Sequence, residues 1–200
     1  MFFSFDFAPP QYLRVLPETF ERLDASRWFL ILSSEHQEES LYAKRLIRAS
    51  LNEFKSSFDC LNTDLRNIGK KELWDRSKYC EEMKRDFILR IVRNARDLSF
   101  HTSKLKPKFE SSSIRVISED ESYLSSIAAF YFDNLDAEYD RTTLSRFNED
   151  EIEKMQEIFE SFPCFMLLSE AYKRFSVLLE SFLLENQLVT PEESQAFWDR

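Results

Sequence analysis

The chain predicts an all-α fold, and three observations carry that prediction. Gly69 is the single glycine in 200 residues, where average usage gives roughly fourteen. Tight hairpins and phosphate-cradling loops need glycine, so its near absence argues against all-β and α/β architectures. Apolar residues recur at three- and four-residue intervals over long stretches, and helix-capping patterns precede several of them. The expected architecture is a single domain over 1–200. It is a helical bundle built on a long antiparallel helix pair, with further C-terminal helices over 119–200.

Residues 1–16 read as irregular, punctuated by Pro9, Pro10 and Pro17. Pro17 suits a first helical turn, and Phe20, Leu23, Trp28 and Ile31 carry helical spacing to about Ser33. A long second helix is predicted from about Glu38 to Leu65, with Leu41, Ile47, Leu51, Phe54, Phe58, Leu61 and Leu65 as its apolar face. Gly69 closes it. A third helix, from Glu72 or Ser77 to Phe100, completes a helical core over 17–103.

Pro107 and the run Ser111-Ser112-Ser113 interrupt the helices, leaving room for one short extended segment near 109–118. Ser118 to Glu121 has the form of a capping box, which predicts a helix to about Tyr139. A second box, Asn148 to Glu151, opens a helix to about Phe162. Pro163 breaks the path, another helix runs to about Asn186, and Thr190-Pro191 starts a short last one. The many phenylalanines, including Phe159, Phe162, Phe165, Phe175 and Phe182, read as core, with a partner or dimer surface as the second reading.

Composition also bounds the function. Cys60, Cys80 and Cys164 lack paired spacing and read as reduced thiols of a cytoplasmic protein. The apolar N-terminus lacks a basic flank, and no run approaches membrane-spanning length, so no membrane partner is expected. No metal-binding spacing is present, and neither a metal nor a cofactor is expected. Glu149-Asp150-Glu151 and Glu192-Glu193 are acids at helix N-termini, and His36 is a solvated loop histidine.

The net charge of −9 disfavours a general nucleic-acid coat. One segment departs from that balance. Between Lys84 and Lys108 eight basic residues face two acidic ones, a local charge of +6. The island contains Arg90, Arg93, Asn94, Arg96, Asp97, His101, Lys104 and Lys106. At 100° per residue Arg90, Asn94, Asp97 and His101 fall along one stripe, while Phe87, Ile88, Ile91, Val92, Ala95 and Leu98 cluster on another side. An arginine can clamp a phosphate with a forked pair of hydrogen bonds, and a histidine can move protons near neutral pH. As a plain alternative, the same cations cap a helix C-terminus.

Arg96-Asp97-Leu98-Ser99-Phe100-His101 resembles the motif of the HEPN superfamily: an arginine, four to six residues with a polar first one, then a histidine near a helix end. Ala43 to Phe54 is similar in composition to that family's long preceding helix. The resemblance implies metal-independent RNA cleavage of a toxin or defence kind. His101 would be the general acid or base, Arg96 the phosphate clamp, and Asp97, Asn94 and Arg93 supporting residues. Arg90, Lys104 and Lys106 would bind RNA. A homodimer, and an antitoxin or regulatory partner, follow from the same resemblance. Ser103 stands where nucleotidylated toxins of the family carry tyrosine. The alternative is a non-catalytic helical module that binds protein or RNA.

Overall fold

The computed structural model describes residues 10–35, 40–101, 105–108, 113–117, 122–126, 129–132 and 141–192. Its fold is all-α, with a short β excursion between the helical halves. A 3-10 turn, Gln11–Val15, leads into α1 (Pro17–Glu35) and α2 (Ser40–Asn67). Three helices follow, α3 (Lys71–Asp75), α4 (Lys78–Arg85) and α5 (Phe87–His101). After the β segment come α6 (Arg141–Leu144), α7 (Glu149–Ser161) and α8 (Cys164–Glu185).

Helices α1 and α2 form the expected long antiparallel pair, but the seam between them is not the apolar one that periodicity suggests. Leu16, just ahead of α1, and Thr19, Leu23, Ser26, Leu30 and Ser33 on it are buried at alternating three- and four-residue steps. Ala43, Ile47, Ser50, Phe54, Ser57, Leu61 and Asp64 are buried in the same rhythm on α2. Every second position of this heptad seam is small or polar. Ser26 and Ser50 clasp each other across it. Ser26 Oγ donates to the Ser50 carbonyl at 2.9 Å, and Ser50 Oγ donates to the Ser26 carbonyl at 2.7 Å. Such bonds require the two backbones to lie close, which only short side chains allow.

Asp64 closes the open end of the hairpin. The residue before α1 is Leu16, which has no side-chain oxygen to cap the first turn. Asp64, only 1% exposed, supplies the missing acceptor from α2. Its carboxylate accepts from Thr19 N at 2.8 Å, Thr19 Oγ1 at 2.7 Å and Glu18 N at 3.4 Å.

Gly69 ends α2 as expected. Its φ of +68° is left-handed, with Gly69 N donating to Arg66 O and Lys70 N to Leu65 O at 3.0 and 2.7 Å. That bond pair is a Schellman stop. An added Cβ meets no atom within 4 Å, so Gly69→Ala is opposed by backbone strain alone. We expect it to lose about 1 kcal/mol, read as a lower urea midpoint with an unchanged slope; a loss above about 3 kcal/mol would mean a steric role.

The predicted third helix is three helices. Ser77 caps α4, its Oγ accepting from Cys80 N at 3.1 Å. Asp86 caps α5, its Oδ1 accepting from Leu89 N at 2.9 Å, and its extended backbone breaks the helix there. Helix α4 then runs antiparallel to α8, as Tyr79 meets Glu185 at one end and Asp86 meets Arg174 at the other.

The helix expected from 118 to 139 is overturned at 122–126 and 129–132, which are strands, and the rest of that span lies outside the described residues. Strand β2 (Ser113–Ile117) pairs antiparallel with β3 (Ser122–Ser126), nested between β1 (Leu105–Lys108) and β4 (Ala129–Phe132), which also pair. The single extended segment is thus four short strands. In residues 113–132 β-branched, aromatic and serine residues outnumber the strong helix formers. A capping pattern is worth about 1 kcal/mol and does not reverse that preference. The second box forms: Asn148 Oδ1 accepts from Glu151 N at 2.8 Å while Glu151 Oε2 accepts from Asn148 N at 3.1 Å. The short last helix begins at Pro191, and its remainder lies outside the described residues.

The core lies where α2, α5 and α8 meet. Phe175 of α8 stacks on Phe58 at 4.4 Å and meets Phe54 edge-on at 6.0 Å. Trp74 packs edge-on against Phe182 at 4.9 Å. Phe162, expected in the core, is 43% exposed.

Candidate functional site

The basic island centres on α5, whose inner face buries Leu89, Ile91, Val92 and Ala95. The polar stripe expected to face solvent does something different in its first two turns. Asn94 is buried. Its Nδ2 donates to the Arg90 carbonyl at 2.7 Å, and its Oδ1 accepts from the Arg146 guanidinium. Arg90 forks onto Glu151, with one bond of 3.2 Å, and donates to the Arg146 carbonyl at 2.9 Å. The guanidinium also lies 4.8 Å from the centroid of the Phe147 ring. The Arg90 bond holds the Glu151 carboxyl below the usual carboxylate range.

These contacts form a bracket between α5 and the start of α7. Glu151 serves twice, as capping-box acid and as partner of Arg90. Arg90 and Asn94 therefore act first as structural residues in this region. Arg146, Phe147 and Glu151 were not legible as their partners. The one sequence signal was Phe147 just ahead of the capping box with Ile152 four residues into the helix, the pattern of a hydrophobic staple.

Arg93 points the other way. It is exposed, and its guanidinium lies over the Phe58 ring at 5.3 Å. Arg96, Asp97 and His101 belong to the helical backbone of α5, while their side chains lie outside the described residues. Five helical steps separate positions 96 and 101, about 7.5 Å along the axis and about 140° around it. Position 101 returns to the Asn94 side of the helix, whereas position 96 does not. Lys106 stands in β1 opposite Tyr131, described by its backbone alone, and Lys104 lies outside the described residues.

Other chemistry is sparse among the described residues. No group of three or more His, Cys, Asp or Glu side chains has metal-binding proximity. Cys60, Cys80 and Cys164 are free thiols, and complete burial pushes the Cys164 thiol well above its usual range. A surface groove of about 480 Å³ runs between α4 and α8. Its central cation, Arg174, is held by Asp86 at 2.9 Å and Glu170 at 2.7 Å, so the groove carries little unmatched charge. No helix among the described residues is long and apolar enough to cross a membrane. Comparison with known protein families, curated proteins and solved structures finds no match for this chain.

Proposed function

We propose that the protein is a HEPN-like, metal-independent endoribonuclease of toxin or defence type, acting in the cytoplasm as a homodimer. The observation that supports this reading is the place of the motif. Arg96 and His101 lie in the last turns of one helix, beyond the bracket that anchors its first half and on the same helix as exposed Arg93. In this reading His101 takes the 2′-hydroxyl proton or returns one to the leaving oxygen, and Arg96 stabilises the negative phosphate oxygens. Because the two positions lie on different sides of α5, a phosphodiester wedged between two copies of the helix would meet both groups. A two-fold dimer supplies that geometry. Asp97, one turn before His101, would orient the imidazole. An antitoxin or other regulatory protein would restrain the activity.

The test pairs growth on induction with cleavage of total RNA in EDTA. Wild type is expected to arrest growth and cut RNA. Arg96→Ala and His101→Ala are each expected to lose cleavage by a factor of about 10²–10⁴ while unfolding at the wild-type temperature. Equal behaviour of all three proteins would end the ribonuclease reading. It would favour a non-catalytic helical binding module, to which the structural use of Arg90 and Asn94 already lends support.

A further inference from the structure

We infer that the outer face of α1, centred on Trp28, is the docking site for a basic amphipathic helix of a partner protein. This face plays no part in the ribonuclease reading, and either can fail without the other.

Helix α1 carries apolar residues on two sides. One side buries Thr19, Leu23, Ser26, Leu30 and Ser33 in the seam with α2. Trp28 lies about 180° around the helix from that seam, and Glu21, Asp24, Ala25, Ile31 and Leu32 fall within about 60° of it. The indole is 55% exposed, with the Phe29 ring edge-on beside it at 5.2 Å. Phe29, Ile31 and Leu32 are half-buried, yet none of them packs on the buried core, whereas Phe20 of the same helix does. A single exposed apolar side chain is ordinary, but several on one helix face mark a contact surface.

Rhythm and charge together define the occupant. Glu21, Ala25, Trp28 and Leu32 recur at four-, three- and four-residue steps. That is the heptad rhythm α1 already uses against α2, and it receives another helix. Ala25, close to one turn before Trp28, is small enough to let that helix approach the indole. The stripe is about 16 Å long, or three turns. Its two charged residues are both exposed acids. Glu21 makes no ion pair among the described residues, and Asp24 makes a long one, 4.0 Å to Arg27 at the edge of the stripe. A second copy laid on this face by a two-fold axis would bring the same acids and no base from within the stripe. A helix with apolar residues at three- and four-residue spacing, flanked by lysine or arginine, matches it in shape and in sign. Tryptophan at the centre is also the residue type in which binding energy concentrates.

The test puts a photoreactive benzophenone in place of the Trp28 side chain in the full chain, produced in the cell that encodes it. After illumination the cross-linked peptides are sequenced. The expected adduct joins position 28 to a basic, heptad-patterned segment of another protein. The same group at Leu73, an exposed apolar residue of α3, should not capture that segment. A synthetic, fluorescent peptide of the segment is then titrated against the full chain by anisotropy. Trp28→Ala is expected to bind it at least about thirtyfold more weakly, the loss typical of a central tryptophan, and Trp28→Phe to recover part of that loss. Glu21→Lys/Asp24→Lys should bind about tenfold more weakly, and Leu73→Ala as well as wild type. Thermal unfolding verifies that each variant folds. A cross-link to a second copy of this chain, to lipid or to an acidic segment would overturn the docking site. So would the absence of any cross-link, or equal binding of the peptide by Trp28→Ala.

Discussion

Phe175→Ala is expected to lower the unfolding free energy by about 3–5 kcal/mol, the range for deleting a fully buried phenylalanine. The ring has no exposed surface and touches two rings of α2 in two geometries, stacked on Phe58 and edge-on to Phe54. Its loss removes apolar burial and the aromatic geometry together. It also leaves a void where α8 meets the middle of α2, the longest helix, which cannot bend inward without disturbing its seam with α1. Phe175→Leu should recover much of the loss. Urea denaturation decides the matter through the midpoint at constant slope. A loss under about 1 kcal/mol would show that the α2–α8 contact collapses around the void and is not a rigid core.

Asp64→Ala is expected to cost about 3 kcal/mol, which is large for a residue with no apolar contribution. The substitution leaves the buried Thr19 N–H and hydroxyl without an acceptor, and it removes the part-buried bond from Glu18 N. It also removes a negative charge from the positive end of the α1 dipole. Asp64→Asn keeps an acceptor oxygen and should cost about half as much. The sharpest reading is hydrogen exchange at Glu18 and Thr19, which should speed up markedly in Asp64→Ala under native conditions. A variant that loses less than about 0.5 kcal/mol would mean that water serves the helix end well enough without Asp64.

Much of the helical plan was legible because its punctuation is local. Pro17, Gly69, the Asn148–Glu151 box and Pro163 each act within a turn of themselves, and each marks a boundary in the structure. Periodicity was less reliable about faces. It assigns Trp28 and Leu41 to apolar faces, yet they are 55% and 64% exposed. It misses Thr19, Ser26, Ser33, Ser50, Ser57 and Asp64, because small polar residues at heptad spacing look like a solvated side until a partner helix is present. Ser77 and Asp86 split the predicted third helix by capping that reads as mid-helix polarity when only apolar spacing is followed. The strands over 105–132 lay beyond reach for another reason. Pairing partners up to 27 residues apart outweighed a capping signal confined to four.

For the site, position was legible and environment was not. The sequence places Arg90, Arg93, Asn94, Arg96 and His101 on one helix, as found. That Arg90 and Asn94 would be taken up by Arg146 and Glu151 depends on a contact some fifty to sixty residues away in sequence. No local pattern encodes such a contact.

The serine clasp at Ser26 and Ser50 has a consequence for how this sequence can change over time. Two backbones that exchange hydroxyl–carbonyl bonds in both directions leave no volume for a longer side chain at either position. Neighbouring surface positions can drift freely in size and charge. Residues 26 and 50 therefore favour small side chains, and only serine at both positions keeps the two-way exchange. Distant relatives should accordingly keep small residues at this spacing, whatever becomes of the leucines and phenylalanines around it.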